Sequence, residues 1–348
     1  MVTKKLLIVF GLMLSTLTAC SLFTTGIDAF PVISPANVSD ITDIGGLEIS
    51  VGELLWMADG STILMFTGSK VLFINPETLE EKSIHQFQTK FLGLGAISPD
   101  GQKIAIFADG VNNAEIWRID PEEHLMSLSD ANGYSETIDI SLLVFSPNGQ
   151  YLASAGWGEM HPCVHLWDLD SKKLLNSIVL VEIGPSYHRP VYSLAFSPDG
   201  KLLALLGWDG SVHIWDFQKD HLTIVRTGEQ ADDLGATSDL AFSPDSKFLA
   251  YGEGIWSKTI HIYDVHDSKS NREIEGYLGK KAIFFSPNGD LLAICGNDAV
   301  RLWDFKTGEK LISLPIPGAE DAAFSPDGTR LATFGAQDGL RLWGVTEP

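Results

Sequence analysis

The sequence predicts an all-β protein in which one small sheet is written seven times. Three observations carry this. The turn Ser-Pro-(Asp/Asn)-Gly, or a near copy, recurs with its proline at Pro99, Pro147, Pro198, Pro244, Pro287 and Pro326, and a worn copy, Trp56-Met57-Ala58-Asp59-Gly60, makes seven. Short apolar runs rich in Val, Ile, Leu and aromatics flank every turn, which is strand punctuation. The spacing of the anchors, 39 to 51 residues, marks a repeat architecture, and no convincing helix interrupts it.

The elements follow in order. Residues 1–19 read as a signal peptide: Lys4 and Lys5 form a positive start, and Leu6 to Leu17 is an apolar stretch too short for a comfortable membrane span. Leu17-Thr18-Ala19-Cys20 resembles the lipobox of bacterial lipoproteins, which implies cleavage before Cys20 and a lipid on its thiol. The exported protein is then anchored to the cell envelope, at the cell surface or on the periplasmic side of an outer membrane. Residues 20–36, with Pro31 and Pro35, read as a tether, and 37–348 as the folded domain.

Each repeat has the same grammar. In the fourth copy an apolar segment ends in Phe196; Pro198 presets φ for the turn and Gly200 supplies φ > 0. A second run, Lys201 to Gly207, leads to a turn carrying Asp209. A third ends at Trp215-Asp216, and a looser fourth follows. Four strands per repeat result.

The third-run endings carry a family resemblance. Leu166-Trp167-Asp168, Ile214-Trp215-Asp216, Ile262-Tyr263-Asp264 and Leu302-Trp303-Asp304, with variants at Trp117 and Trp343, are similar to the WD-repeat family. The resemblance covers nearly the whole domain and implies a seven-bladed WD40-type β-propeller. The related propeller that shares the turn but lacks the Trp-Asp ending is the runner-up. The family's Gly-His before each first strand is missing, so its His–Ser–Asp–Trp network is expected to be incomplete. Ser154 and Thr333 keep the hydroxyl; Asp209, Asp298 and Asp338 keep the turn Asp. Blade packing should then rest mainly on apolar contact.

The seventh copy stops after its third strand, and 37–49 has no blade of its own. The last blade is therefore expected to be closed by an N-terminal strand, about Ser39 to Gly45, since an open ring would expose strand edges. Cys163 and Cys295 fall in copies three and six. A disulfide needs Cα atoms within about 7 Å, so two free, buried thiols are expected.

Composition narrows the function. Net charge is −21 and basic residues are scattered, so no nucleic-acid footprint is present. His165, His213 and His261 hold one place in three consecutive copies. Ligands of one zinc lie about 2 Å from the metal, whereas equivalent places on packed sheets are roughly 10 Å apart; the position reads as structural. Asp100, Asp199, Asp245 and Asp327 sit singly in their turns and read as turn stabilisers rather than calcium ligands. There is no nucleophile elbow and no phosphate loop. No catalytic, metal or cofactor site is assigned.

Of nine Trp, five end third strands and Trp56 replaces a Phe. The other three, Trp157, Trp208 and Trp256, fall in one kind of loop in adjacent copies three, four and five. Tyr187, His188 and Arg189 enter copy four on the same side. Aromatics with polar handles, Arg and Met are favoured at binding hot spots, so a recognition patch of Trp157, Met160, His161, Tyr187, His188, Arg189, Trp208 and Trp256 is expected. The competing reading packs these Trp between blades. The functional expectation is a non-enzymatic, lipid-anchored extracytoplasmic scaffold, a monomeric propeller binding a protein or peptide partner through the face called the top. The alternatives are an envelope carbohydrate-binding protein and a propeller enzyme of hydrolase or lactonase type.

Overall fold

The computed structural model describes residues 30–47, 54–67, 70–86, 95–107, 114–128, 139–157, 162–180, 191–207, 209–226, 239–252, 259–267, 269–275, 282–296, 298–335 and 337–345. Their strands form seven four-stranded antiparallel sheets. We number the blades 1–7 in chain order and letter the strands a–d from the axis outward. Blade 4 is the plainest: strands Val191–Phe196, Leu202–Gly207, Val212–Asp216 and His221–Arg226. Blades 1, 2, 3, 5 and 6 cover 54–86, 96–127, 139–179, 240–275 and 282–315.

Blade 7 closes the ring. Its strands a–c are Ala319–Phe324, Arg330–Gly335 and Gly339–Val345, and strand d is Ile41–Leu47 from the other end of the chain. The pairing runs from Ile41↔Val345 to Leu47↔Leu340, with a bulge between Asp43 and Gly45. The observed strand starts two residues later than Ser39. Val38–Asp40 instead forms a 3₁₀ turn, its Asp40 N–H donating to the Asn37 carbonyl.

The chain before this strand is also docked. Ile33 is wholly buried in the seam between blades 6 and 7, and its N–H donates to the Gly328 carbonyl at 2.9 Å. Phe30 lies under the Arg330 guanidinium, whose other side pairs with Glu77 of blade 1. The part of the tether from Phe30 onward thus packs on the propeller.

Apolar side chains fill the seams. Among the described residues there is one hydrophobic cluster between each adjacent pair of blades, seven in all. Alternation along strand c explains this: Val212 and Ile214 point to blade 5, while Trp215 points back to blade 3. Trp167, Tyr263, Trp303 and Trp343 likewise pack against the preceding blade. Burying such rings adds to the cohesion of the aliphatic seams, because an aromatic side chain can cover about 150–250 Å².

The hydroxyl links survive in part. The Trp167 indole N–H donates to Ser154 Oγ and that of Trp343 to Thr333 Oγ1, both at 2.9 Å. The equivalent of Ser154 in blade 4 is Leu205, opposite His213. There the Trp215 N–H is buried with no partner among the described residues.

The a–b turns ring one end of the molecule, the bottom. In blades 2–7 the Ser hydroxyl donates to the turn Asp or Asn, as Ser197 does to Asp199 at 2.6 Å, and accepts the N–H of the returning strand. The turn glycine faces the proline of the preceding blade: Gly149 meets Pro99, Gly289 meets Pro244, Gly328 meets Pro287, and Gly60 meets Pro326 across the closure. In blade 5 the glycine is replaced by Ser246 at φ 61°, whose hydroxyl accepts the Asp199 N–H at 3.0 Å. Cys163 and Cys295 are buried, in blades 3 and 6, and are not joined in a disulfide.

Candidate functional site

The b–c turns and d–a connections lie at the opposite end, the top, because antiparallel strands alternate direction. Strand b of blade 3, Tyr151–Trp157, ends there, with Trp157 paired to Asp139 and Pro162. Trp208 sits between Gly207 and Asp209, whose surroundings are fixed. The Gly210 N–H donates to Gly207 O, the Ser211 N–H to the buried Asp209, and Arg226 donates to Gly210 O. The loop 253–258, with Trp256, joins Gly252 to Thr259 of blade 5. Met160, His161, Tyr187, His188, Arg189, Trp208 and Trp256 lie outside the described residues, as do the Trp157 side chain and Cys20. What the registers fix is that all these loops spring from the top of three consecutive blades.

On the outer strands of blade 5 is a cleft of about 430 Å³ lined by Tyr251, His261, Tyr263, Asn271, Arg272 and Glu273. The Tyr251 and His261 rings stack at 5.1 Å, and His261 Nδ1 lies 3.3 Å from a Glu273 carboxylate oxygen. Burial raises the Tyr263 hydroxyl above its usual value, helped by the charge of Asp264. This is an aromatic surface with a carboxylate edge, suited to stacking and hydrogen bonding.

The histidine position of strand c is built from different contacts in each blade. His165 is buried beside Trp167, at 6.0 Å between rings, and burial lowers its basicity. Arg301 takes that place in blade 6 and chelates Asp298. Each member faces a different seam. No group of three or more His, Cys, Asp or Glu among the described residues is arranged to hold a metal ion.

Two residues near the axis were missed from sequence. Asp239 stands three before Phe242, and Asp321 three before Phe324. Asp239 accepts the Ser193 hydroxyl of blade 4 at 2.6 Å, its neighbour Leu240 N–H at 2.8 Å and the Ile283 N–H of blade 6 at 3.0 Å. Asp321 accepts the N–H of Ala322 and that of Leu54 in blade 1, both at 2.8 Å. One carboxyl thus stitches neighbouring inner strands. Burial pushes the Asp239 carboxyl up, against the pull of these donors. The available signal was an acid three residues before the Phe that ends strand a, just ahead of Leu240–Phe242 in blade 5 and inside Ala319–Phe324 in blade 7. Committed to backbone N–H groups, these carboxyls serve geometry rather than proton transfer.

With this geometry in view, comparison with known proteins is informative. The family model for the WD domain, G-beta repeat, matches residues 183–216 and 269–304. The chain is 24% identical over 333 residues to the transcriptional corepressor LEUNIG_HOMOLOG of Arabidopsis thaliana, covering 89% of this chain and 38% of that protein. It is 25% identical over 281 residues to human transducin beta-like protein 2, covering 76% and 59%. Over 168 residues it is 30% identical to protein groucho of Drosophila melanogaster, 47% and 21% of the two chains. The chain therefore spans less than two thirds of the length of these relatives.

Proposed function

Because the chain is a WD40-repeat β-propeller, a class whose members generally act as protein-binding scaffolds, we propose that it is a non-enzymatic scaffold. It is anchored to the envelope by a lipid on Cys20 and takes a protein or peptide partner on the top of blades 3–5. The observation that carries this reading is the common origin of the loops bearing Trp157, Trp208, Trp256 and Tyr187–Arg189 on one end of three neighbouring blades. A rigid disc lowers the ordering cost of binding, so contacts made by a few aromatic anchors count more fully.

The test is crosslinking capture from native membranes. Wild type is compared with the variant Trp157→Ala, Trp208→Ala, Trp256→Ala, after circular dichroism shows the variant folded. A specific protein captured by wild type and lost in the variant is the expected result. An unchanged captured set removes the top of blades 3–5 as the site.

A further inference from the structure

The docked arm decides which way the disc faces. Its first described residue, Phe30, touches Arg330 at the start of strand b and borders Gly344 near the end of strand c. Both positions are at the bottom, beside the a–b turn that holds Ile33 through Gly328. Strand d then rises from Ile41 at the bottom to Leu47. The chain therefore leaves the propeller at its bottom rim, on blade 7. The ring order puts blades 3 and 4 across the axis from blade 7.

Only nine residues lie between Cys20 and Phe30, ten steps of chain that reach at most about 36 Å however they run. The six- and seven-residue strands b and c of blade 7 separate bottom from top, which is roughly 20 Å at about 3.3 Å per residue. Because the arm leaves at the bottom, that end lies nearest Cys20, whereas turning the top to the bilayer would spend about 20 Å of the ~36 Å reach climbing the rim. From this we infer that the lipid anchor, on which this rests, holds the propeller with its a–b turns toward the bilayer. The loops of blades 3–5 then point away, so their partner approaches from the aqueous side and is not embedded next to the anchor. Five of the seven bottom turns carry an Asp: Asp59, Asp100, Asp199, Asp245 and Asp327. The turn donors hold these carboxyls below their ordinary range, for Asp100, Asp199, Asp245 and Asp327 against the opposing effect of burial. Lys201 and Lys247 pair with Asp199 and Asp245 at 3.0 and 3.1 Å, so this end carries both signs of charge.

Dye-to-lipid energy transfer tests this on the full lipidated chain in phosphatidylcholine vesicles bearing a rhodamine lipid. Donors are placed on Lys306→Cys, exposed at the bottom of blade 6, on Asp298→Cys, exposed at its top, and on Met160→Cys in blade 3. Unsubstituted protein gives the background from the buried Cys163 and Cys295. Transfer is expected to fall in the order 306, 298, 160. Equal transfer at the three positions, or the reverse order, overturns the orientation while leaving the anchor intact. Mass analysis of the N-terminal peptide separates the other failure: a Cys20 without acyl chains overturns the anchor, and the orientation with it.

Discussion

Asp239 gathers one hydroxyl and two amides from three blades, so its cost and benefit are both measurable. Removing the donor with Ser193→Ala should destabilise the protein by about 1–3 kcal/mol, since the bond is to a group with ionic character. The pH dependence has a definite sign. Burial raises the folded carboxyl above its ordinary value of 3.8. As pH falls through that raised value, the native state takes up a proton before the unfolded chain does, and stability rises until the ordinary value is passed. Asp239→Asn lacks this step. The difference in unfolding free energy, wild type minus variant, should therefore climb as pH falls across that window in denaturant titrations, and a level difference would refute the assignment. The indoles make a second contrast. Trp167→Phe loses the bond to Ser154, whereas Trp215→Phe removes an N–H that has no partner among the described residues. The first should cost about 1 kcal/mol more, read from denaturation midpoints at unchanged slope.

At the scale of elements, the repeat was legible because its turns need particular chemistry. Proline at the first corner, replaced by Ala58 in blade 1 alone, and a residue tolerating φ > 0 at the last suit this turn, and their recurrence numbers the blades. Even the exception is informative: Ser246 accepts the positive φ and contributes a bond to blade 4. The Trp endings were legible too, because strand c sends a large ring toward the preceding blade in blades 2–7, while blade 1 places Ile74 there. Asp239 and Asp321 were not, since an acid in a half-polar run looks like a solvated face until the neighbouring blade's N–H is seen. The arm was read as tether on account of Pro31 and Pro35. Its anchor is Ile33, one apolar residue whose burial depends on the seam of two distant blades. Truncating it tests that element: Ile33→Ala should cost about 2–5 kcal/mol. Gly46→Ala tests the closing strand by sterics, because a methyl there would lie 2.4 Å from the Leu340 carbonyl oxygen. A lowered denaturation midpoint is expected for both, and an unchanged midpoint for either would mean that the segment is not held as described. The candidate patch was legible only as loop placement, since side chains in the top loops follow no repeat.

For the molecule as a whole, the N-terminal segment does two jobs that a linear repeat array does not require. Repeat stability is nearly a sum of units and neighbour interfaces, but a ring adds the seventh interface only if its ends meet. Here they meet inside blade 7, where strand d comes from 41–47 and strands a–c from 319–345. Deleting 30–47 would leave Gly339–Val345 as a bare edge and empty the seams of Ile33, Val38 and Ile41, all buried. At about 1.5–3 kcal/mol for each buried aliphatic side chain, the loss is on the order of 5 kcal/mol before the strand's backbone bonds are counted. The exposed edge is also a template for pairing with another chain. The truncated protein should therefore unfold at much lower denaturant and self-associate in sedimentation, while a covalent repair, a disulfide joining Thr42→Cys to Gly344→Cys across their paired positions, should raise the full-length midpoint. If truncation leaves stability and monomeric state unchanged, closure by the N-terminal strand is dispensable, and the arm's grip on the bottom face would no longer fix how the disc is presented.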